Sequence, residues 1–177
     1  ATTILERFGV KVIVNQRVTA ISKDGVTVGE MFIASENVFW AAGNQASPVL
    51  KTLNVPLDRQ GRVIVEKDLS ISGYPNIFVL GDAACAMDQK TKAPFPALAS
   101  VAIQQGRYVA DQVRYLRDKK SLRPFRYFDK GTMATIGKTK AIGVFWGIKF
   151  SGLIAWLGWC FVHILYLVGF RNRISVL

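Results

Sequence analysis

The spacing of apolar and polar positions changes several times along the chain. Ile4-Leu-Glu-Arg-Phe8 followed by Gly9 predicts the end of a helix stopped by glycine, and the β-branched run Val10-Lys-Val-Ile-Val-Asn15 predicts a strand after it. Val18 to Ile21, Lys23-Asp24-Gly25 and Val26 to Val28 predict a hairpin that turns at Asp-Gly. Glu36-Asn-Val-Phe-Trp-Ala-Ala42, halted by Gly43-Asn44, predicts a strand buried on both faces. Arg59-Gln-Gly-Arg62 leads into a strand at Val63-Ile-Val65, and Tyr74-Pro-Asn76 into one at Ile77-Phe-Val-Leu80 that ends in Gly81-Asp82. Pro94 and Pro96 then predict the opening of a helix of roughly 20 residues that includes Ala97, Val101, Gln104 and Tyr108. Strands interleaved with helices define an α/β class, in which ligands bind at strand ends.

A different pattern occupies the last part. Phe150 to Phe170 runs 21 residues without Asp, Glu, Lys or Arg, long enough as a helix to cross a bilayer core. Lys149 precedes it and Arg171 and Arg173 follow, while Trp156, Trp159, Tyr166 and the upstream Trp146 are residues that favour a membrane interface. Gly152, Gly158, Ser151 and His163 make the run less apolar than a leucine stretch. The expectation is an anchor lying in the membrane surface, with a spanning helix and a buried helix or oligomer contact as alternatives. Gly143-x-x-x-Gly147 is compatible with close helix packing.

Charge sharpens this division. Residues 1 to 106 carry 10 basic and 9 acidic side chains, whereas residues 107 to 177 carry 13 and 3, so almost all of the net +11 sits in the second part. Such a tail suits nucleic acid or an anionic membrane, and the apolar run between the charges decides for the membrane. With 50% hydrophobic residues the chain can build a core, which excludes disorder. The two cysteines, Cys85 and Cys160, form no CxxC, and with the single His163 they exclude a disulfide framework and a histidine-rich or zinc site. Residues 1 to 20 lack a charged start followed by a long apolar run, so no secretory leader is expected.

Candidate chemistry gathers at Gly81-Asp82. A carboxylate at a strand end before the small Ala83 and Ala84 can accept hydrogen bonds from sugar-like hydroxyls while the following backbone approaches a phosphate. A helix start near Ala97 to Ser100 adds free amides and the positive end of a dipole. A flavin suits such a pair, since its reduced form is anionic at the pyrimidine edge.

With VFWAAGN at 38 to 44, GRVIVEKDLSISGYPNIFVLGDAA at 61 to 84, PFPALASVAIQQGRYVA at 94 to 110, PFRYFDKGTMATIGK at 124 to 138 and FSGLIAWLGWCFVHILYLVGFRNR at 150 to 173, the chain resembles the type II NADH dehydrogenases. These are membrane-associated flavoenzymes with two dinucleotide-binding domains. The resemblance implies a partial Rossmann-like flavoprotein fold with a C-terminal membrane-anchoring helical segment. Residues 1–44 would be the closing half of the NADH domain, 45–120 the returning half of the FAD domain, and 121–177 the membrane-association domain. It implies that Asp82 holds the ribityl chain of FAD with Gly81 at the close approach, that Ala99 and Ser100 meet the flavin ring, and that Ala42 and Gly43 lie near the nicotinamide of NADH. Ser100, Ile103, Gln104 and Thr135 would line the quinone side. The family usually has Gln where Ser100 stands, and Gln104 and Gln105, adjacent on a helix, point about 100° apart, so only one can face the flavin.

No GxGxxG occurs among the 15 glycines, although the family carries two such loops. The chain is therefore expected to be a C-terminal part of its family, binding FAD poorly by itself. The activity implied is hydride transfer from NADH to FAD and delivery of two electrons to a membrane quinone, without proton pumping, by a peripheral protein on the cytoplasmic face of the cell inner membrane. Anionic lipid and a second copy of the chain are the other candidate partners. A non-catalytic membrane-docking or interaction module and a sulfide:quinone-type reductase are the alternatives; the latter would want a redox thiol pair. Cys85 is expected to be a small packing residue, and Lys130 and Lys149 ordinary basic side chains.

Overall fold

A computed structural model describes residues 1–117, 124–167, 171 and 175. These residues fall into two compact units, 42–129 and a second formed by 1–41 with 130–177.

In the unit 42–129, a 3-10 turn at Pro48–Leu53 precedes the short strands β4 (Val63–Ile64), β5 (Ser70–Ile71), β6 (Tyr74–Phe78) and β7 (Ala84–Cys85), followed by the long helix α2 (Ala99–Arg117). Strand β4 pairs with β7 in parallel, Val63 opposite Ala84 and Ile64 opposite Cys85, and β5 pairs with β6 antiparallel. Val63, Val65, Leu69, Ile71, Val79, Ala84, Ala86 and Phe125 form the core, with Phe95, Tyr108, Val109 and Tyr127 packed against it. Phe125 meets Phe95 and Tyr108 edge-on, at ring separations of 5.6 and 5.4 Å. Burial, and secondarily the Asp68 carboxylate, push the Tyr108 hydroxyl up to about 12.

The turn before β4 is organised by one carboxylate. Asp58 Oδ1 accepts from the amides of Gln60 at 2.8 Å and Arg62 at 2.9 Å, and Oδ2 accepts from Arg62 Nε at 2.7 Å and is ion-paired with Nη2 at 2.7 Å. Burial by itself would raise the Asp58 pKa, but the amide and guanidinium of Arg62 and the amide of Gln60 outweigh it and hold the group below the usual carboxylate value.

In the second unit, α1 (Thr2–Arg7) ends at Phe8 and Gly9, and β1 (Val18–Ser22), β2 (Gly25–Val28) and β3 (Met31–Ala34) form an antiparallel meander. The hairpin expected at 18–28 is present with its turn one residue earlier, since Ser22 pairs with Gly25 across Lys23-Asp24. Gly25 opens β2 because a side chain there would collide with the Ile33 carbonyl on β3. A second antiparallel sheet contains β8 (Thr132–Thr135), β9 (Ala141–Phe145) and β10 (Ile148–Gly152), with β9 in the middle. Helix α3 (Leu153–Tyr166) follows β10 directly and packs on this sheet through the buried Ala155.

Several expectations are corrected. Residues 10–15 and 36–42 form no strand; Phe39 is 92% exposed and Trp40 61%. A strand buried on both faces needs a ladder partner on each side, and neither segment has one among the described residues. The strand expected at 77–80 runs instead from Tyr74 to Phe78, and Gly81 and Asp82 belong to a separate 3-10 turn, Gly81–Ala83. The helix expected from Pro94 begins at Ala99, with Ala97 before it. The uncharged run 150–170 divides between the end of β10 and the 14-residue α3, and no helix among the described residues is long and apolar enough to cross a membrane. Residues 168–170 of that run, and Arg173, lie outside the described residues. Gly143 and Gly147 are not helical: Gly143 lies in β9, and Gly147 with Trp146 makes the two-residue β9–β10 turn, both at positive φ.

Gly143 is buried at the centre of its sheet, where a Cβ would lie 2.8 Å from Met133 Cγ and from Phe150 Cζ. Gly143→Ala is expected to destabilise the fold by about 1–3 kcal/mol through overpacking, read as a lower denaturant midpoint. The depressed Asp58 pKa contributes stability that is fully present above the unfolded carboxylate value, ~3.9, and is lost as pH falls through the folded value. Chemical denaturation from pH 7 down to ~3 is therefore expected to show a steeper loss of stability for the wild type than for Asp58→Asn.

Candidate functional site

A cavity of about 630 Å³ opens in the unit 42–129, lined by the loop Gly43 to Ala46, by Gln60 and Arg62, by Asp82, and by Pro94 to Ala97. A smaller recess beside it shares Arg62, Asp82 and Phe95 to Ala97 and reaches Gly81 and Gln105. The parallel register of β4 and β7 explains this grouping: Val63 opposite Ala84 sets the preceding Arg62 close to the Gly81–Ala83 turn. The backbone bond from Ala46 N–H to the Gln60 carbonyl, 2.9 Å, ties the first loop to the Asp58–Arg62 turn.

Asp82 is exposed and has no hydrogen bond or ion pair with another described residue, so its carboxylate is available to a ligand. The turn carrying it is held from behind. Gly81 adopts φ +64, and its amide donates to Oε1 of Gln105 at 2.7 Å. Gln105 is 1% exposed, so this bond forms out of water.

The expected site residues separate in space. Gly43 and Asp82 share the main cavity, and Gly81 borders the recess. Ala42, Ala99, Ser100, Ile103 and Gln104 line neither. Ser100 shares a hydrogen bond of 2.9 Å with the Tyr127 hydroxyl, and Gln104 is committed to the backbone of Phe128, donating to its carbonyl and accepting from its amide at 2.9 Å each. Thr135 ends β8 in the other unit, opposite Ala141. Of the two adjacent glutamines, Gln105 is the one that turns to the Gly-Asp segment.

Arg62, Gln60, Asn44 to Ala46 and Pro94 to Pro96 were not singled out as site residues from the sequence, whereas Ala97 was named there as part of a helix start. The prolines were legible as a helix opening, but nothing local marks Arg62 as facing a cavity. Arg62 Nη2 also donates to Cys85 Sγ at 3.8 Å. Burial raises the Cys85 pKa, Arg62 lowers it and Asp58 adds to the rise, for a net shift upward. The buried Cys85 thus acts as a packing residue with a weakly nucleophilic thiol. Lys130 Nζ donates to the Tyr166 hydroxyl at 3.4 Å.

This arrangement suits a ligand with hydroxyls for Asp82 and an anionic group for Arg62. Where Gly43 faces the cavity, a Cβ would meet nothing within 4 Å, leaving room for close approach to the backbone.

The family model described as pyridine nucleotide-disulphide oxidoreductase matches residues 1–106. The type II NADH:quinone oxidoreductase NdhA of Mycobacterium tuberculosis is 39% identical over 98% of this chain and 38% of its own length. The corresponding protein of Staphylococcus saprophyticus is 30% identical over 86% of this chain and 39% of its own length. The chain thus spans about two fifths of the curated relatives it matches. Among solved structures, NDH2 from Plasmodium falciparum in complex with NADH aligns with a TM-score of 0.83 over 98% of this chain and 51% of that one, at 14% identity, a likeness of fold. An FAD-dependent pyridine nucleotide-disulphide oxidoreductase from Desulfovibrio vulgaris aligns at 0.57 over 80% of this chain and 36% of that one, at 22% identity. From the match over residues 1–106, the chain belongs to the pyridine nucleotide-disulphide oxidoreductase family.

Proposed function

We propose that this chain forms the FAD-holding and membrane-docking parts of a type II NADH:quinone oxidoreductase. The observation that carries this is the cavity in which the unpartnered Asp82 carboxylate stands with the Gly43 to Ala46 loop and the Pro94 to Ala97 segment. Segments 1–44, 45–120 and 121–177 serve NADH, FAD and the membrane respectively. When bound, FAD supplies two-electron redox chemistry between NADH and a quinone.

Asp82 accepts hydrogen bonds from the ribityl hydroxyls. Gly81, pinned by Gln105, fixes the turn whose Asp82 lines the cavity. Ala42 and Gly43 border the nicotinamide. Ala99 and Ser100, at the start of α2, offer amides and the positive end of the helix dipole to the electron-rich ring. Ser100 is joined to Tyr127 by a hydrogen bond of 2.9 Å, so a pair of hydroxyls would serve the quinone side at this position. Ile103 adds an apolar wall to the quinone side, and Gln104 holds the Phe128 backbone beside it. A sulfide:quinone-type activity would want a redox thiol pair, and among the described residues Cys85 and Cys160 are not joined to one another.

Membrane docking rests on the second unit. Ile154, Leu157, Phe161 and Leu165 follow one another at helical spacing on α3, and all are exposed. An exposed apolar stripe of this kind is costly in water and favourable at the edge of a bilayer. The contact of Lys130 with Tyr166 brings the C-terminal end of α3 to the start of β8, the same end of the sheet as the β9–β10 turn. That turn exposes Trp146, 79% accessible and at φ +47, followed by the exposed Ile148. An aromatic ring at a turn tip, flanked by Lys130 and Lys149, suits an anionic lipid surface on the cytoplasmic face of the membrane. A quinone is poorly soluble in water, so docking at lipid brings the protein to the phase that holds this substrate.

In the protein that contains this chain, Asp82→Ala is expected to weaken FAD binding by about tenfold or more and to reduce NADH oxidation in step. Co-sedimentation with vesicles should persist; loss of both together would show that Asp82 is structural. Trp146→Ser with Ile148→Ser is expected to lower the affinity for phosphatidylglycerol-containing vesicles about tenfold while leaving FAD content unchanged. Unaltered vesicle binding would remove this turn from the membrane contact.

A further inference from the structure

We infer that Arg62 is a phosphate-binding residue of the cavity and takes the diphosphate of FAD; this rests on the assignment of the cavity to FAD. Among the described residues that line the main cavity and its adjoining recess, Arg62 is the one cation, and it lines both. Its side chain is 13% exposed, so its charge acts with little screening by water. The β4–β7 register sets it beside the turn that bears Asp82.

The guanidinium is oriented before any ligand arrives. Nε and Nη2 are fastened to Asp58 Oδ2, and Nη2 also approaches Cys85 Sγ, while Nη1 has no partner among the described residues. A guanidinium has five N–H donors in a rigid plane, so fixing one edge leaves the other aimed, with little further loss of side-chain freedom. Planar donors of this type match phosphate oxygens better than they match a neutral ring edge. The two ends of the ligand are then served by different groups. The α2 start meets the electron-rich ring, Asp82 the ribityl hydroxyls, and Arg62 the phosphates that follow the ribityl chain.

The test uses the full protein stripped of flavin, with FAD and riboflavin as probes and quenching of flavin fluorescence as the readout. Riboflavin has the ring and the ribityl chain without phosphate, so it reports the fold and the Asp82 contact. Arg62→Gln is expected to weaken FAD binding at least tenfold, about 1.4 kcal/mol, and to leave riboflavin binding unchanged; Arg62→Lys should recover part of the loss. Because Arg62→Gln leaves Asp58 without its cation, Arg62→Gln with Asp58→Asn is measured beside it, and the same separation of the two probes is expected. Equal weakening of both probes would overturn the inference, since Arg62 would then act on the ring or only on the fold. Unchanged FAD binding would overturn it as well. A wild-type apoprotein that binds neither probe would instead overturn the assignment of the cavity itself.

Discussion

The site depends on a hydrogen bond formed out of water, from the Gly81 amide to the side-chain oxygen of Gln105. A buried amide oxygen left without a donor is costly, so Gln105 holds the Gly81–Ala83 turn against α2. Gly81 can take the required φ of +64 at little cost because it has no Cβ. With the turn fixed, Asp82 is paired with no other described residue and remains an acceptor on the cavity wall.

The opposite wall follows the same economy of fastened polar groups. Asp58 organises Gln60, the Arg62 backbone and the Arg62 guanidinium together, and the Ala46 amide ties the Gly43 to Ala46 loop to that turn. These attachments surround a small aromatic and β-branched core in which Phe125 links the helix to the sheet residues. Rigid walls suit a redox cofactor, because groups that need not reorganise act on developing charge most strongly.

The second unit answers a different constraint. Its sheet is closed on one side by α3 through Ala155, and the buried Gly143 lets Met133 and Phe150 close over the middle strand. The apolar residues that remain on α3 and at the Trp146–Gly147 turn are left exposed by the other described residues, which is the feature that recommends a lipid surface.

Local pattern was enough to establish the α/β class, the 18–28 hairpin, the Gly81-Asp82 turn as a candidate site, and a helix after Pro96, because turn chemistry and periodicity act over a few residues. It was not enough for residues 36–42, whose apolar run looks like a buried strand, since burial depends on partners that short-range spacing does not reveal. Nor did it separate a bilayer-length helix from a strand that ends and a shorter helix that begins, because Gly152 at φ +82 breaks an otherwise continuous apolar run. The grouping of Arg62 with Asp82, and the choice of Gln105 over Gln104, were decided only in three dimensions. Both follow from which strand lies beside which and which face of α2 is buried, and these are outcomes of packing the whole chain rather than of any segment within it.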